Sequence, residues 1–82
     1  TANVQLVLEG HTDNSGPVDL NMALSKQRAE TVRNYLVAKG VDPSRLSVQE
    51  FGAKNPIADN STEQGRNKNR RVVIRAVGEN NQ

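Results

Sequence analysis

The stretch VQLVLEGHTDNSGPVDLNMALSKQRAETVRNYLVAKG, residues 4–40, decides the fold. Residues 4–9 read as a strand. Val4, Leu6 and Leu8 share one face by the two-residue period of extended chain, and Val7 adds apolar character to the other. Gly10 ends that strand, and residues 10–17 carry turn chemistry. Pro17 suits the first helical position, which makes Gly16 the cap, a cap with no side-chain oxygen. In that register Asp19 falls third after the cap, where a carboxylate meets the free N–H groups of the first turn. The helix then runs to Lys39 and stops at Gly40.

The helix has an apolar stripe of Val18, Met22, Ser25, Ala29, Val32 and Leu36, spaced by three and four, and Leu20, Leu24 and Tyr35 widen it. Met22 reads as core filling. Lys26, Glu30, Arg33 and Asn34 form the wet face. Arg28 falls on the border between Leu24 and Val32, with Asn21 two turns earlier on the same line. A polar pair inside an apolar border needs partners. Two readings stay open for Arg28: a packing arginine that snorkels to the rim, or a binding residue.

Beyond Gly40 the pattern shortens. Residues 41–45 form a loop or single turn, with Asp42 in a cap-like place before Pro43. Leu46 to Phe51 is a second strand, with Leu46, Val48 and Glu50 on one face. Ser61-Thr62-Glu63-Gln64 has a capping-box pattern and opens a short helical segment, which Gly65 keeps from being long. Arg71 to Val77 is a third strand, with Val73, Arg75 and Val77 opposed to Val72, Ile74 and Ala76. Residues 78–82 read as a loose polar tail. The order strand, long helix, strand, turn region, strand predicts a small α/β (α+β) sandwich, its first two strands parallel and one sheet face covered by the helix.

Composition bounds the function. The 82 residues allow one domain, and one this small buries only about 60–65% of its extended surface. Aromatic residues are 2% of the chain and apolar residues 34%, so the core must be aliphatic and thin, and a helper element from outside the chain is expected. The chain opens on Thr1 just before a strand, as a cut or processed piece would. There is no cysteine, hence no disulfide or thiolate metal site. No apolar run approaches the roughly 20 residues of a membrane helix, so no direct membrane insertion is expected. The net charge is +2, with basic residues concentrated at Arg66, Lys68, Arg70, Arg71 and Arg75. That run reads either as a solvated face or as an anion contact. With almost no aromatic interleaving, it does not make a nucleic-acid partner the expectation.

Catalysis has little to stand on. His11 is the only histidine, no His-Glu-x-x-His spacing exists, and no serine sits on a strained elbow. No metal, no cofactor and no enzymatic activity are expected. His11, with Gly10 and Thr12, reads as loop support, bonding backbone at the strand end. Asp13 has two competing roles: accepting N–H groups of its own loop, or presenting a carboxylate to a ligand ammonium. Arg28 offers a guanidinium suited to a ligand carboxylate, and free N–H groups at the nearby helix terminus favour the same anion. Together Asp13 and Arg28 would hold a zwitterionic, amino-acid-like head group. In Asn69-Arg70-Arg71-Val72 one arginine can point at the site while the other covers the sheet; position does not choose between them.

These residues resemble a known family. Gly10-His11-Thr12-Asp13, then Gly16, then Asn21-x-x-Leu24-Ser25-x-x-Arg28-Ala29-x-x-Val32, then Gly52, Pro56, Asn60, Gly65-Arg66 and Asn69-Arg70-Arg71-Val72, are similar in order and spacing to the OmpA-like C-terminal domain. The resemblance covers about residues 4–77 and implies a β-α-β-α-β-β sandwich on a mixed sheet. Residues 1–82 would then be a partial domain, the strand-helix-strand-turn-strand part, lacking the family's first strand and helix. It further implies non-covalent binding of peptidoglycan in the periplasm, associated with the outer membrane, through the diaminopimelate of the stem peptide. Asp13 would contact the ligand, Arg28 would grip a diaminopimelate carboxylate, Leu20 and Asn21 would line the pocket, and Arg71 would contribute. The alternative is a periplasmic protein–protein adaptor on the same fold.

Overall fold

The computed structural model describes residues 4–78. The elements are β1 (Gln5–His11), α1 (Val18–Ala38), a 3-10 turn (Pro43–Arg45), β2 (Leu46–Gly52), α2 (Glu63–Asn69) and β3 (Arg71–Val77). The three strands form a mixed sheet in the order β2-β1-β3, with β1 parallel to β2 and antiparallel to β3. This is the β-α-β-α-β order and parallel first pair expected from the sequence. The expected tail at residues 78–82 lies, past Gly78, outside the described residues.

Gly10 does not end β1. The strand continues to His11, and Gly10 pairs with Glu50 on one side and Val72 on the other. The glycine is there for the helix above it: a β-carbon on Gly10 would stand 1.8 Å from the carbonyl oxygen of Ser25. Small residues on α1 permit this approach. Its buried line is Asn21, Ser25 and Ala29, whereas Val18 of the expected stripe is 76% exposed. Leu8, Ala29 and Leu46 are the only buried apolar residues among those described, so the core is as thin as the composition implied.

Helix α1 begins one residue later than expected. Pro17 has ψ 150, an extended value, so it is the N-cap and not the first helical residue. Its carbonyl accepts the Asn21 N–H at 3.1 Å. Asp19 accepts the Leu20 N–H at 3.0 Å, which leaves fewer free first-turn donors for an anion than expected. The far end closes on Gly40, at φ 105, as a left-handed C-terminal stop. In α2 the cap is Thr62, whose hydroxyl accepts the Gly65 N–H at 3.0 Å. Ser61 is not part of a capping box, because its amide and hydroxyl both donate to Asp59 Oδ1.

Side-chain alternation divides β1 between two surroundings. Leu6, Leu8 and Gly10 face α1, whereas Val7, Glu9 and His11 face the other side of the sheet. Ser25 fastens the helix to the end of β2: its hydroxyl donates to Met22 O at 2.9 Å and accepts the Gly52 N–H at 3.0 Å. The polar loop after β1 is thereby held between the start of α1 and the end of β2.

Candidate functional site

The loop leaving β1 is buried, with Thr12 and Asp13 4% and 6% exposed. The Thr12 N–H donates to Gly52 O at 2.9 Å, and its hydroxyl donates to Asp13 O at 2.8 Å. Those bonds fix the backbone from which the Asp13 carboxylate projects.

The two roles considered for Asp13 fall on its two oxygens. Oδ1 accepts the Ser15 N–H at 2.8 Å, a turn closed within the loop. Oδ2 is ion-paired with Arg70 Nη1. The Ser15 amide holds the Asp13 carboxyl below the ordinary carboxylate range; burial opposes that shift, and Arg70 adds to it. Asp13 is therefore an anion at neutral pH, buried yet paired.

Arg70 is the residue the sequence reading left undecided. Standing at the C-cap of α2, it spans two acids: Nη1 to Asp13, and Nη2 to Glu63 Oε2 at 2.8 Å and to the side-chain oxygen of Asn67. The available signal was its position seven residues after Glu63, which places both on one line of α2. Arg71, the arginine implied by the resemblance, starts β3 opposite His11. Its guanidinium donates to Asn69 O at 3.1 Å and Asn55 O at 2.9 Å, so it ties the connecting segment to the sheet.

Arg28 reaches the same corner from the middle of α1. It is half-buried, and Nη1 donates to His11 O at 3.4 Å. Among the described residues it has no carboxylate partner. Arg28, Thr31 and Val32 of α1 face Arg70, Arg71 and Val72 across an open groove of about 400 Å³. The groove thus carries three guanidinium groups, and the Asp13 carboxylate adjoins it through Arg70.

Asn21 and Leu20 lie elsewhere. Asn21 is 5% exposed, makes no side-chain hydrogen bond among the described residues, and lines a separate, mainly apolar recess of about 230 Å³ with Met22 and Phe51. Leu20 is 52% exposed and borders neither recess.

His11 supports the loop in a different way from that expected. Its ring makes no hydrogen bond to backbone; both ring nitrogens are buried without a partner among the described residues. The ring stacks on Phe51, with centroids 5.1 Å apart and planes 4° from parallel. Burial lowers the His11 pKa, Arg71 lowers it further, and Glu9, at 4.0 Å from Nε2, opposes them. His11 is thus a buried, neutral imidazole packed against Phe51 on the sheet's far face.

A profile of the OmpA family matches residues 1–70, and the chain belongs to that family. It is 48% identical over 73 residues to outer membrane protein A of Bordetella avium, spanning 89% of this chain and 38% of that protein. It is 46% identical over 72 residues to the peptidoglycan-binding protein ArfA of Mycobacterium tuberculosis, spanning 88% of this chain and 22% of the relative. The crystal structure of the peptidoglycan-associated lipoprotein from Burkholderia pseudomallei superposes with a TM-score of 0.87 at 30% identity, covering 90% of this chain and 63% of that one. The chain therefore spans well under half the length of these curated relatives.

Proposed function

We propose that this chain binds peptidoglycan non-covalently and so anchors an envelope protein to the cell wall, in the periplasm and at the outer membrane. Its ligand is the diaminopimelate of the stem peptide. Asp13 receives the ammonium group, and Arg28 receives the carboxylate of the same residue. Arg71 shapes the wall of the groove, and Leu20 and Asn21, which lie outside that groove, contact the peptide beyond its diaminopimelate.

One observation carries this reading. A buried carboxylate and a half-buried guanidinium, the latter without an acid partner among the described residues, are fixed at the same end of β1, Arg28 on the carbonyl of His11 and Asp13 two residues further on. An unpaired guanidinium beside a buried acid suits a zwitterion, since each end of the ligand meets its opposite charge. The relatives support peptidoglycan as the polymer bound: ArfA is named for binding peptidoglycan and the Burkholderia lipoprotein for its association with it.

The test is calorimetric titration with a diaminopimelate-containing muropeptide, using the protein and its Asp13→Ala and Arg28→Ala variants. Each substitution is expected to cost about 2–5 kcal/mol of binding, as removal of one partner of a desolvated charge pair does. Undiminished affinity in both variants would sink the site assignment. Failure of the folded protein to bind would favour the adaptor reading instead.

A further inference from the structure

We infer that Arg70 is a placeholder for the ligand's ammonium group, and that Glu63 sets how readily it leaves. This inference rests on the binding reading above and names the residue that tunes the affinity and charge selectivity of the same site.

The observation is the sharing of one guanidinium between two unlike acids. Asp13 is 8% exposed at its side chain, and Glu63 is 63% exposed. Arg70 bonds Asp13 through Nη1 alone, while Nη2 holds both Glu63 and Asn67. Glu63 is itself steadied by Arg66, whose Nε and Nη2 donate to Glu63 Oε1 at 3.2 and 3.0 Å. Arg70 can therefore give up Asp13 and keep an anchored, charged partner on the solvent side.

A buried carboxylate stripped of its partner is costly. Arg70 removes that cost from the empty site by keeping Asp13 paired. An arriving ammonium replaces one cation with another, so Asp13 is never left unpaired during the exchange. A ligand group without positive charge cannot make the exchange, because displacing Arg70 would expose the full desolvation cost. Selection for a charged amine over its acylated form follows from that asymmetry. The arrangement also weakens the site, because every ligand must compete with Arg70.

The test combines titration calorimetry on the whole chain, with a muropeptide bearing a free diaminopimelate amine, and NMR titration of the Asp13 carboxyl without ligand. Both substitutions lie on the half-exposed or exposed surface, and circular dichroism verifies folding. Arg70→Gln is expected to tighten binding about two- to fivefold, the scale of a partly exposed ion pair, and to raise the Asp13 pKa. It is also expected to reduce discrimination against the N-acetylated muropeptide. Glu63→Gln is expected to do the opposite: weaker binding by about two- to threefold and a lower Asp13 pKa, because Arg70 then rests more fully on Asp13. Unchanged or weaker binding in Arg70→Gln overturns the inference and makes Arg70 a ligand contact or a bystander. Unchanged or tighter binding in Glu63→Gln overturns the role of Glu63. If the unmodified protein binds no muropeptide, the functional reading fails; the carboxyl titrations in the two variants still decide whether Arg70 is shared between the two acids.

Discussion

Gly10 lies directly beneath Ser25, so close that a β-carbon on Gly10 would stand 1.8 Å from the Ser25 carbonyl oxygen. This contact sets the distance between sheet and helix at the end of β1, from which Asp13 projects and on whose last carbonyl Arg28 rests. Gly10→Ala must lift α1 from the sheet, because the obstructing atom is backbone and cannot rotate away. The expected destabilisation is about 2–3 kcal/mol or more, read as a lower midpoint in urea. Muropeptide affinity should fall too, although neither charged residue has been changed.

Asn69 organises the segment before β3. Fully buried, its side-chain oxygen accepts the N–H groups of Ile57 and Ala58 at 2.8 and 3.0 Å, while its amide donates to Ala58 O at 3.0 Å and Asn60 Oδ1 at 2.7 Å. Replacement by Ala strands four polar groups and should cost about 2–4 kcal/mol. Asn69→Asp keeps both acceptor bonds but brings its second oxygen against two acceptors, so at neutral pH it should also destabilise. Hydrogen exchange is expected to quicken at the Ile57 and Ala58 amides in both variants.

The buried His11 gives stability a dependence on pH. Its folded pKa lies below the ordinary value, so between those two values the unfolded chain binds more protons than the folded one. Stability is therefore complete above about pH 6.5 and declines as pH falls below it, by at most about 1.4 kcal/mol per pH unit. Glu9 limits the decline and Arg71 steepens it. Urea melts between pH 4.5 and 7.5 should show this slope, and His11→Phe, which retains a ring against Phe51, should flatten it.

Asp13 acts in a lower window. Its folded pKa is depressed, chiefly by the Ser15 amide, so its contribution is present above the ordinary carboxylate value of about 4 and is lost as pH falls through the folded value. Ligand binding should follow the same course, because a protonated Asp13 cannot hold an ammonium. Calorimetry across pH 3–6 should show affinity collapsing toward the acid end, with no such pH dependence left in Asp13→Asn.

Much of this molecule was legible in its sequence, for identifiable reasons. The alternation in Val4–Leu8 and the helical spacing after Pro17 gave the first strand and the long helix, because a two-residue and a 3.6-residue period are hard to confuse over such lengths. The end of β1 was misread because Gly10 looks like punctuation. Here glycine marks close approach of a helix, which depends on Ser25, distant in sequence. Ending the strand early also hid the alternation that carries His11 to the far face, where it stacks on Phe51. Asp13 and Arg28 were singled out by residue type and helical position. Arg70 was missed as the partner of Asp13 because the contact spans 57 residues of sequence. No local period encodes it.

The proposed grip of Arg28 on the second carboxylate of diaminopimelate is tested most directly by one comparison. Two muropeptides, identical except that one carries diaminopimelate and the other lysine, differ by that carboxylate alone. Titration of both into the protein and into Arg28→Ala measures the interaction as a difference of differences. The protein should prefer the diaminopimelate peptide by about 2–5 kcal/mol, and Arg28→Ala should bind the two peptides equally. A preference that survives intact in Arg28→Ala would contradict the assignment of Arg28 as the carboxylate-binding residue.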